Sequence, residues 1–196
     1  MICTKKDLNY YLERDRLADN YKGKRPALIG SWNNTIWRYK IYLRKAEYYR
    51  NSEKRSLINM IMGKYYIYRY AKLGMKLGFT IPLNVIDEGL SLPHYGTIII
   101  NGNSHIGKNC RIMADVCVGS TSGVNIAARI GDNVYIGAGA KIIGQLTIGN
   151  DVMIGANAVV TKSVEAGRTV AGSPARVISE KTSRINLSSR LFEAGV

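Results

Sequence analysis

The chain has 196 residues, 46% of them hydrophobic, and carries 28 Lys or Arg against 14 Asp or Glu for a net charge of +14. That is long enough for one or two domains with a real core, while three cysteines (Cys3, Cys110, Cys117) are too few and too odd for a disulfide framework. No apolar stretch follows Met1, and the longest run free of Asp, Glu, Lys, Arg and His, Val116 to Ala128, is a Gly/Ser/Asn-rich 13 residues, so the reading predicts no secretory signal, no spanning helix and a reducing, cytoplasmic setting.

The charge is uneven. Residues 1–78 hold 18 of the Lys/Arg, 6 of the Asp/Glu and 11 of the 13 tyrosines; residues 79–196 hold 10 bases and 8 acids. Three helices are expected in this basic front. The first runs from Asp7-Leu8 through Ala18 and ends at a Gly23/Pro26/Gly30 loop. Asn33 or Asn34 could cap a second that reaches about Tyr49, with Ile36, Tyr39 and Leu43 on one stripe. Ser52 and Glu53 open a third through Leu57, Met60, Ile61, Tyr65, Tyr68 and Leu73, apolar around most of its girth and therefore expected to pack against the other helices and the segment that follows. The basic charge has three readings. Nucleic-acid binding lacks any recognisable module; attraction to an anionic membrane face, a lipid-linked glycan or a polysaccharide fits the charge; a solvated surface over Tyr-packed helices needs no ligand.

Beyond residue 78 the pattern changes. Ile106, Ile112, Val118, Val124, Ile130, Ile136, Ile142, Ile148, Ile154 and Val160 recur at a spacing of six without a slip. Six of the ten are followed by Gly, and the fifth place of each hexad is small or apolar, from Cys110 and Val116 through Ser122 and Ala128 to Val164. A period of six is neither helical nor simple strand alternation, and a short fixed repeat marks a solenoid. Two inward positions and a Gly-tolerant bend per hexad describe a parallel β-helix. Three hexads close one turn of a triangular coil, so residues 18 apart should stack at about 4.8 Å. Ser120, Ala138, Ala156 and Pro174 would then form one column of small side chains, along which a long flexible ligand could lie.

Three stretches resemble hexapeptide-repeat acyltransferases: Tyr135-Ile136-Gly137-Ala138-Gly139-Ala140-Lys141-Ile142, Ile154-Gly155-Ala156-Asn157-Ala158-Val159-Val160-Thr161-Lys162, and Ala171-Gly172-Ser173-Pro174-Ala175-Arg176. The likeness is strongest to serine acetyltransferases and to acetyltransferases of capsule and cell-surface sugars, over roughly residues 79–180. It implies a mainly β fold, a left-handed parallel β-helix behind a small N-terminal helical domain. The expected division is a helical domain 1–78, a β-helical acyltransferase domain 79–178 and a C-terminal tail 179–196. It also implies a homotrimer, acetyl-CoA as donor, active sites between subunits, and cofactor contact at Ala138, Ala156, Thr161, Lys162 and Arg176. Ser120 joins these through the column. Lys162 and Arg176 suit the phosphates of coenzyme A.

The chain has two histidines. His94, in Leu92-Pro93-His94-Tyr95-Gly96-Thr97-Ile98, lies 12 residues before Ile106, the offset of the catalytic histidine in serine acetyltransferases. An imidazole suits general-base removal of a hydroxyl proton. Extending the hexad phase backwards, however, turns His94 into the core with Ile112, Ile130 and Ile148. His105, one residue before an inward Ile, should point outward. Asp87, Glu88 or Asp115 could orient His94, and the sequence selects none. The serine-specific pattern is broken: Pro93 stands where an acid should precede the histidine, Phe79 or Thr80 where a second should stand, and Ile126-Ala127 where an Arg-His pair should hold the amino acid. An α-carboxylate without a cationic partner binds poorly, which favours a sugar hydroxyl as acceptor over serine. Two histidines are too few for a three-histidine zinc centre, and a helical front without a Gly-rich phosphate loop is no nucleotidyltransferase domain. A non-catalytic trimeric scaffold and a transferase that uses an acyl-carrier protein remain as alternatives.

Overall fold

The computed structural model describes residues 1–23, 26, 32–53, 56–121 and 126–193. Gly30, Ser122 and Val124, part of the loop and hexad readings above, lie outside them. The nine described members of the Ile/Val series are at most 2% exposed, and the fifth-place residues Cys110, Val116, Ala128, Val134, Ala140, Val152 and Ala158 are buried beside them. Each hexad therefore contributes a short strand that places one branched side chain in the core, where β-branched residues pack well.

The strands form three sheets. Strands β1 (Phe79–Thr80), β2 (Ile98–Ile100), β5 (Val116–Gly119), β8 (Lys141–Ile143) and β11 (Val159–Val160) make the first. The second runs β4 (Arg111–Ile112), β7 (Tyr135–Ile136), β10 (Met153–Ile154), β12 (Thr169–Ala171) and β13 (Arg176–Ser179). The third is β3 (His105–Ile106), β6 (Arg129–Ile130) and β9 (Thr147–Ile148). All pairs are parallel except β12–β13, an antiparallel hairpin that closes the second sheet. At the corners the backbone enters the left-handed region at Asn109, Asp115, Asn133, Asp151 and Asn157, the non-glycine types that tolerate it best. Asn109, Asn133 and Asp151 stack as a ladder, with side-chain hydrogen bonds of 2.8 and 3.0 Å.

The register corrects the uniform 18-residue coil. Ile136 pairs with Ile154, Ile130 with Ile148 and Ile142 with Val160, each 18 apart. One coil earlier the partners are Ile112–Ile136, Ile106–Ile130 and Val118–Ile142, each 24 apart. Six residues between Gly119 and Arg129, the length of one hexad, are surplus to the coil. Because the surplus equals the repeat length, the inward phase continues unbroken while the face it lands on changes. The first coil is irregular too: Ser91 bridges Arg111 and Ile86 bridges Ile106, 20 apart, whereas Ile98 pairs with Val116, 18 apart.

In the front, α1 (Lys5–Ala18) starts earlier than expected, on a capping box between Thr4 and Asp7. Helix α2 spans Trp32–Asn51, so Asn33 and Asn34 lie inside its first turn rather than capping it. Helix α3 (Leu57–Leu77) is capped by Ser56, whose hydroxyl accepts from the Asn59 amide at 3.2 Å, and not by Ser52; Gly78 ends it. Ile36, Tyr39 and Leu43 are buried as a stripe against the first coils. The expected burial of α3 is only partial. Gly63, Gly74 and Leu77 face inward, and a Cβ on Gly74 would stand 2.9 Å from the Phe79 carbonyl oxygen, but most of its large apolar side chains are exposed.

Part of the basic charge is interior. Arg44 and Lys40 are fully buried. Arg44 Nε donates to Asp15 Oδ2 at 2.8 Å and Nη1 to Glu47 Oε2 at 3.0 Å; its remaining donors reach the carbonyls of Ile86 and Asp87. Asp15 Oδ1 accepts the amides of Gly89 and Leu90 at 2.9 and 2.8 Å. Lys40 Nζ donates to Asp19 Oδ2 and to the carbonyls of Asp15 and Leu90. Burial works against the Arg44 charge, yet the Asp15 and Glu47 carboxylates beside it hold its pKa above the usual arginine value. The network ties α1 and α2 to the loop 84–91 of the first coil. After β13 the chain folds back through a 3-10 turn (Ser183–Asn186) and α4 (Arg190–Glu193), burying Leu191. Ser188 Oγ donates to Asn20 Oδ1 at 2.9 Å there.

Candidate active site

The irregular first coil decides where His94 points. With Ser91 opposite Arg111, it is Leu92 (1% exposed) that enters the core above Ile112, and His94 turns outward and is exposed. The in-phase core position expected for His94 is thus corrected: the coil spends two extra residues before the corner. Gly96, at φ 134°, makes the return possible, since a Cβ there would stand 3.1 Å from the Ala114 Cβ.

Gly96, two residues after His94, stands one coil above Ala114. Below it the same corner continues as Ala138 and Ala156: the Gly139 amide donates to the Ala114 carbonyl at 2.9 Å, and the Asn157 amide to the Ala138 carbonyl at 2.8 Å. Both Ala138 and Ala156 are exposed. Ala156 lies two strand spacings, about 10 Å, below Ala114. Ser120 does not belong to this column. The surplus hexad moves it to the corner after β5, where its hydroxyl accepts from Asn101 Nδ2 at 3.3 Å, and Ala114 takes its place. Pro174 lies in the β12–β13 turn.

Thr161 and Lys162 are exposed on the corner after β11, the corner of Ser120 rather than of Ala138. Lys162 and Arg176 line one cleft of about 400 Å³ at the end of the coil, together with Arg168. Arg168 is engaged by Glu165 and Glu180, whereas Arg176 bonds only its neighbour's carbonyl, at 2.9 Å, among the described residues. One chain thus brings Lys162 and Arg176 together, and places the Ala138–Ala156 column on a different corner.

Around His94 a cleft of about 460 Å³ is walled by the α1–α2 connection and the first coil. Trp32, at the start of α2, stacks on the imidazole with ring centroids 5.6 Å apart and planes at 23°. Tyr95 meets Trp32 edge-on at 6.3 Å. Asn33, Asn34, Lys22 and Arg111 add polar and cationic groups, and Asp19 in the wall is already neutralised by Lys40 at 2.6 Å. None of the three candidate carboxylates touches His94: Asp87 lies 3.5 Å from His105 Nε2, Glu88 pairs with Lys108 at 3.4 Å, and Asp115 is exposed at its corner. The ring is held by an aromatic face in their stead. His105 is exposed on β3, on another side of the coil. Sequence reasoning missed Ala114, Trp32 and Arg111. A constant 18-residue coil hid the first, and no motif marks the other two.

Residues 127–162 match the family model described as bacterial transferase hexapeptide (six repeats). Among curated proteins, none matches the sequence. Among solved structures, serine acetyltransferase from Brucella abortus strain S19 is 25% identical with a TM-score of 0.67, covering 91% of this chain and 72% of that one. The same enzyme in complex with coenzyme A aligns at 23% identity and TM-score 0.66, over 90% and 70% of the two chains. Soybean serine acetyltransferase complexed with serine gives 23% and 0.66, over 89% and 70%. The resemblance read from the sequence holds: residues 127–162 carry the hexapeptide repeats of bacterial transferases, and the chain shares the fold of serine acetyltransferases.

Proposed function

We propose that the protein is an acetyl-CoA-dependent O-acetyltransferase that acts on a sugar hydroxyl of a surface glycan, with His94 as general base. The observation that carries this reading is the placement of His94, exposed in a cleft two residues before Gly96, which stands over Ala114 at the top of the Ala114–Ala138–Ala156 column. The imidazole accepts the acceptor's hydroxyl proton as that oxygen attacks the thioester carbonyl. The tetrahedral intermediate then expels the coenzyme A thiolate, which takes the proton back from the imidazolium. The thioester is already activated, so no covalent nucleophile is needed. The pantetheine arm lies along the alanine column, whose small side chains leave backbone groups approachable, and the phosphates meet Lys162 and Arg176 with Thr161 beside them. Since these groups occupy two corners of one chain, the site is completed by two corners from neighbouring copies in a left-handed, cytoplasmic homotrimer. A coenzyme A complex of a similar fold supports the donor.

The acceptor is read from the cleft. Trp32 and Tyr95 present aromatic faces and Asn33 and Asn34 amides, a set suited to the C–H faces and hydroxyls of a pyranose. Pro93 and the buried Phe79 still stand where the serine pattern needs acids. Serine remains the second reading, favoured by Arg111 in the same cleft, a cation for an α-carboxylate, and by the serine complex of a similar fold.

The test is transfer from acetyl-CoA to L-serine and to a panel of monosaccharides and oligosaccharides, by wild type and His94→Ala. His94→Ala should keep its melting temperature and lose about 10²–10⁴-fold in rate. A folded variant with near wild-type turnover would remove His94 from catalysis. Efficient O-acetylserine formation at sub-millimolar serine would replace the sugar reading with the serine one.

A further inference from the structure

Helix α3 exposes an apolar face that nothing among the described residues covers. Leu57, Ile58, Met60, Ile61, Tyr68 and Met75 are each 55–79% exposed. At 100° per residue, Leu57 and Met75 lie on one line, and Ile61, Lys64, Tyr68 and Lys72 step between them at intervals of three or four. The exposed arc covers about half the circumference along a helix roughly 31 Å long, 21 residues at 1.5 Å each. Within it stand Lys64, Lys72 and Lys76, all exposed, and no acidic residue occurs from Leu57 to Leu77.

This composition selects among occupants. A second copy laid on the same face would set Lys64, Lys72 and Lys76 against their own counterparts, each copy bringing a front half that is already strongly basic. An acidic protein would meet cations at the rim of an apolar patch; here they lie inside it. Long lysine stems that lie along apolar surface and lift their ammonium groups to an anionic plane fit the mixture, and tyrosines favour the boundary between apolar and wet surroundings. No described helix is long and apolar enough to cross a membrane, so the helix would lie flat on one. We propose that α3 is a membrane-docking helix that binds the surface of an anionic phospholipid bilayer. This inference does not depend on the identity of the acceptor.

The test is co-sedimentation of the full chain with vesicles of phosphatidylcholine alone and of phosphatidylcholine mixed with phosphatidylglycerol, with sedimentation velocity run in parallel. Binding is expected to the anionic vesicles only and to weaken with added salt. The triple variant Lys64→Glu/Lys72→Glu/Lys76→Glu should lose on the order of a hundredfold in partitioning, since each base near such a surface is worth about fivefold. Leu57→Ser/Ile61→Ser should also detach, with the oligomer unchanged in both variants. Absence of binding to the anionic vesicles, or equal binding by the variants, overturns the proposal. So does an oligomer that dissociates in Leu57→Ser/Ile61→Ser, which would make the face a contact between copies.

Discussion

The coil and the helical front bury opposite kinds of side chain. In the coil, one branched aliphatic residue per hexad enters the core, and its neighbours above and below are near-copies of itself. In the front, the centre is ionic: Arg44 between Asp15 and Glu47, and Lys40 against Asp19, all joined to backbone groups of residues 84–91. An apolar stack is non-directional and tolerates local change, whereas a buried ion pair holds only while every partner is present. The wall of the His94 cleft that carries Trp32 belongs to the ionic region, and the alanine column to the apolar one.

Removing one ion should therefore have the largest effect. Asp15→Ala leaves the Arg44 guanidinium with Glu47 as its one carboxylate partner and the Gly89 and Leu90 amides without their acceptor. A loss of about 3–5 kcal/mol is expected for breaking a buried pair by removing one partner, which for a chain of this size lowers the melting temperature by roughly 10 °C. Thermal unfolding followed by circular dichroism reads this directly. A single variant that melts with the wild type would show that the network is not what fastens the front to the first coil.

A core change in the coil should matter less. Ile136 pairs with both Ile112 and Ile154 and is completely buried. Ile136→Val removes one methylene from a stack that has identical units on either side, and about 0.5–1.5 kcal/mol is expected from denaturant titration. A loss as large as that of Asp15→Ala would mean that the coil unfolds as cooperatively as the front and that the contrast is false.

The two regions also differed in what their sequences disclosed. The Ile/Val period exposed the coil because one residue type in one phase has one structural meaning there. The same Lys and Arg letters in the front stood for exposed residues such as Lys64 and for fully buried ones such as Arg44, and nothing local distinguishes them. Besides Glu47 three positions on, the partners of Arg44 lie 29 and 42 positions away in Asp15 and Ile86, beyond the reach of a pattern. His94 was legible from its motif, but its outward direction came from two extra residues in the first coil, and Trp32 reached it only through tertiary packing.

The smallest expected effect tests the one place where periodicity itself misled. Ten consecutive hexads look uniform, yet pairing jumps from 18 to 24 residues across the unit around Val124. If that unit stands outside the coil, deleting Thr121 through Ile126 joins Ser120 to Ala127, keeps every inward residue in phase, and makes Ile106 pair with Ile130 at the regular interval. The coil then loses none of its buried aliphatic side chains, and only the loop-closure term changes, by less than about 1 kcal/mol for a shortening of this size. The deletion variant should melt within a few degrees of the wild type and keep the same oligomeric size in sedimentation. If the hexad were instead a face of the coil, as a strict repeat demands, the deletion would shift every later residue by one face, separate Ser120 from Asn101 and scatter the alanine column. A variant that fails to fold, or that melts far below the wild type, would restore the uniform coil and return Ser120 to the column of Ala138.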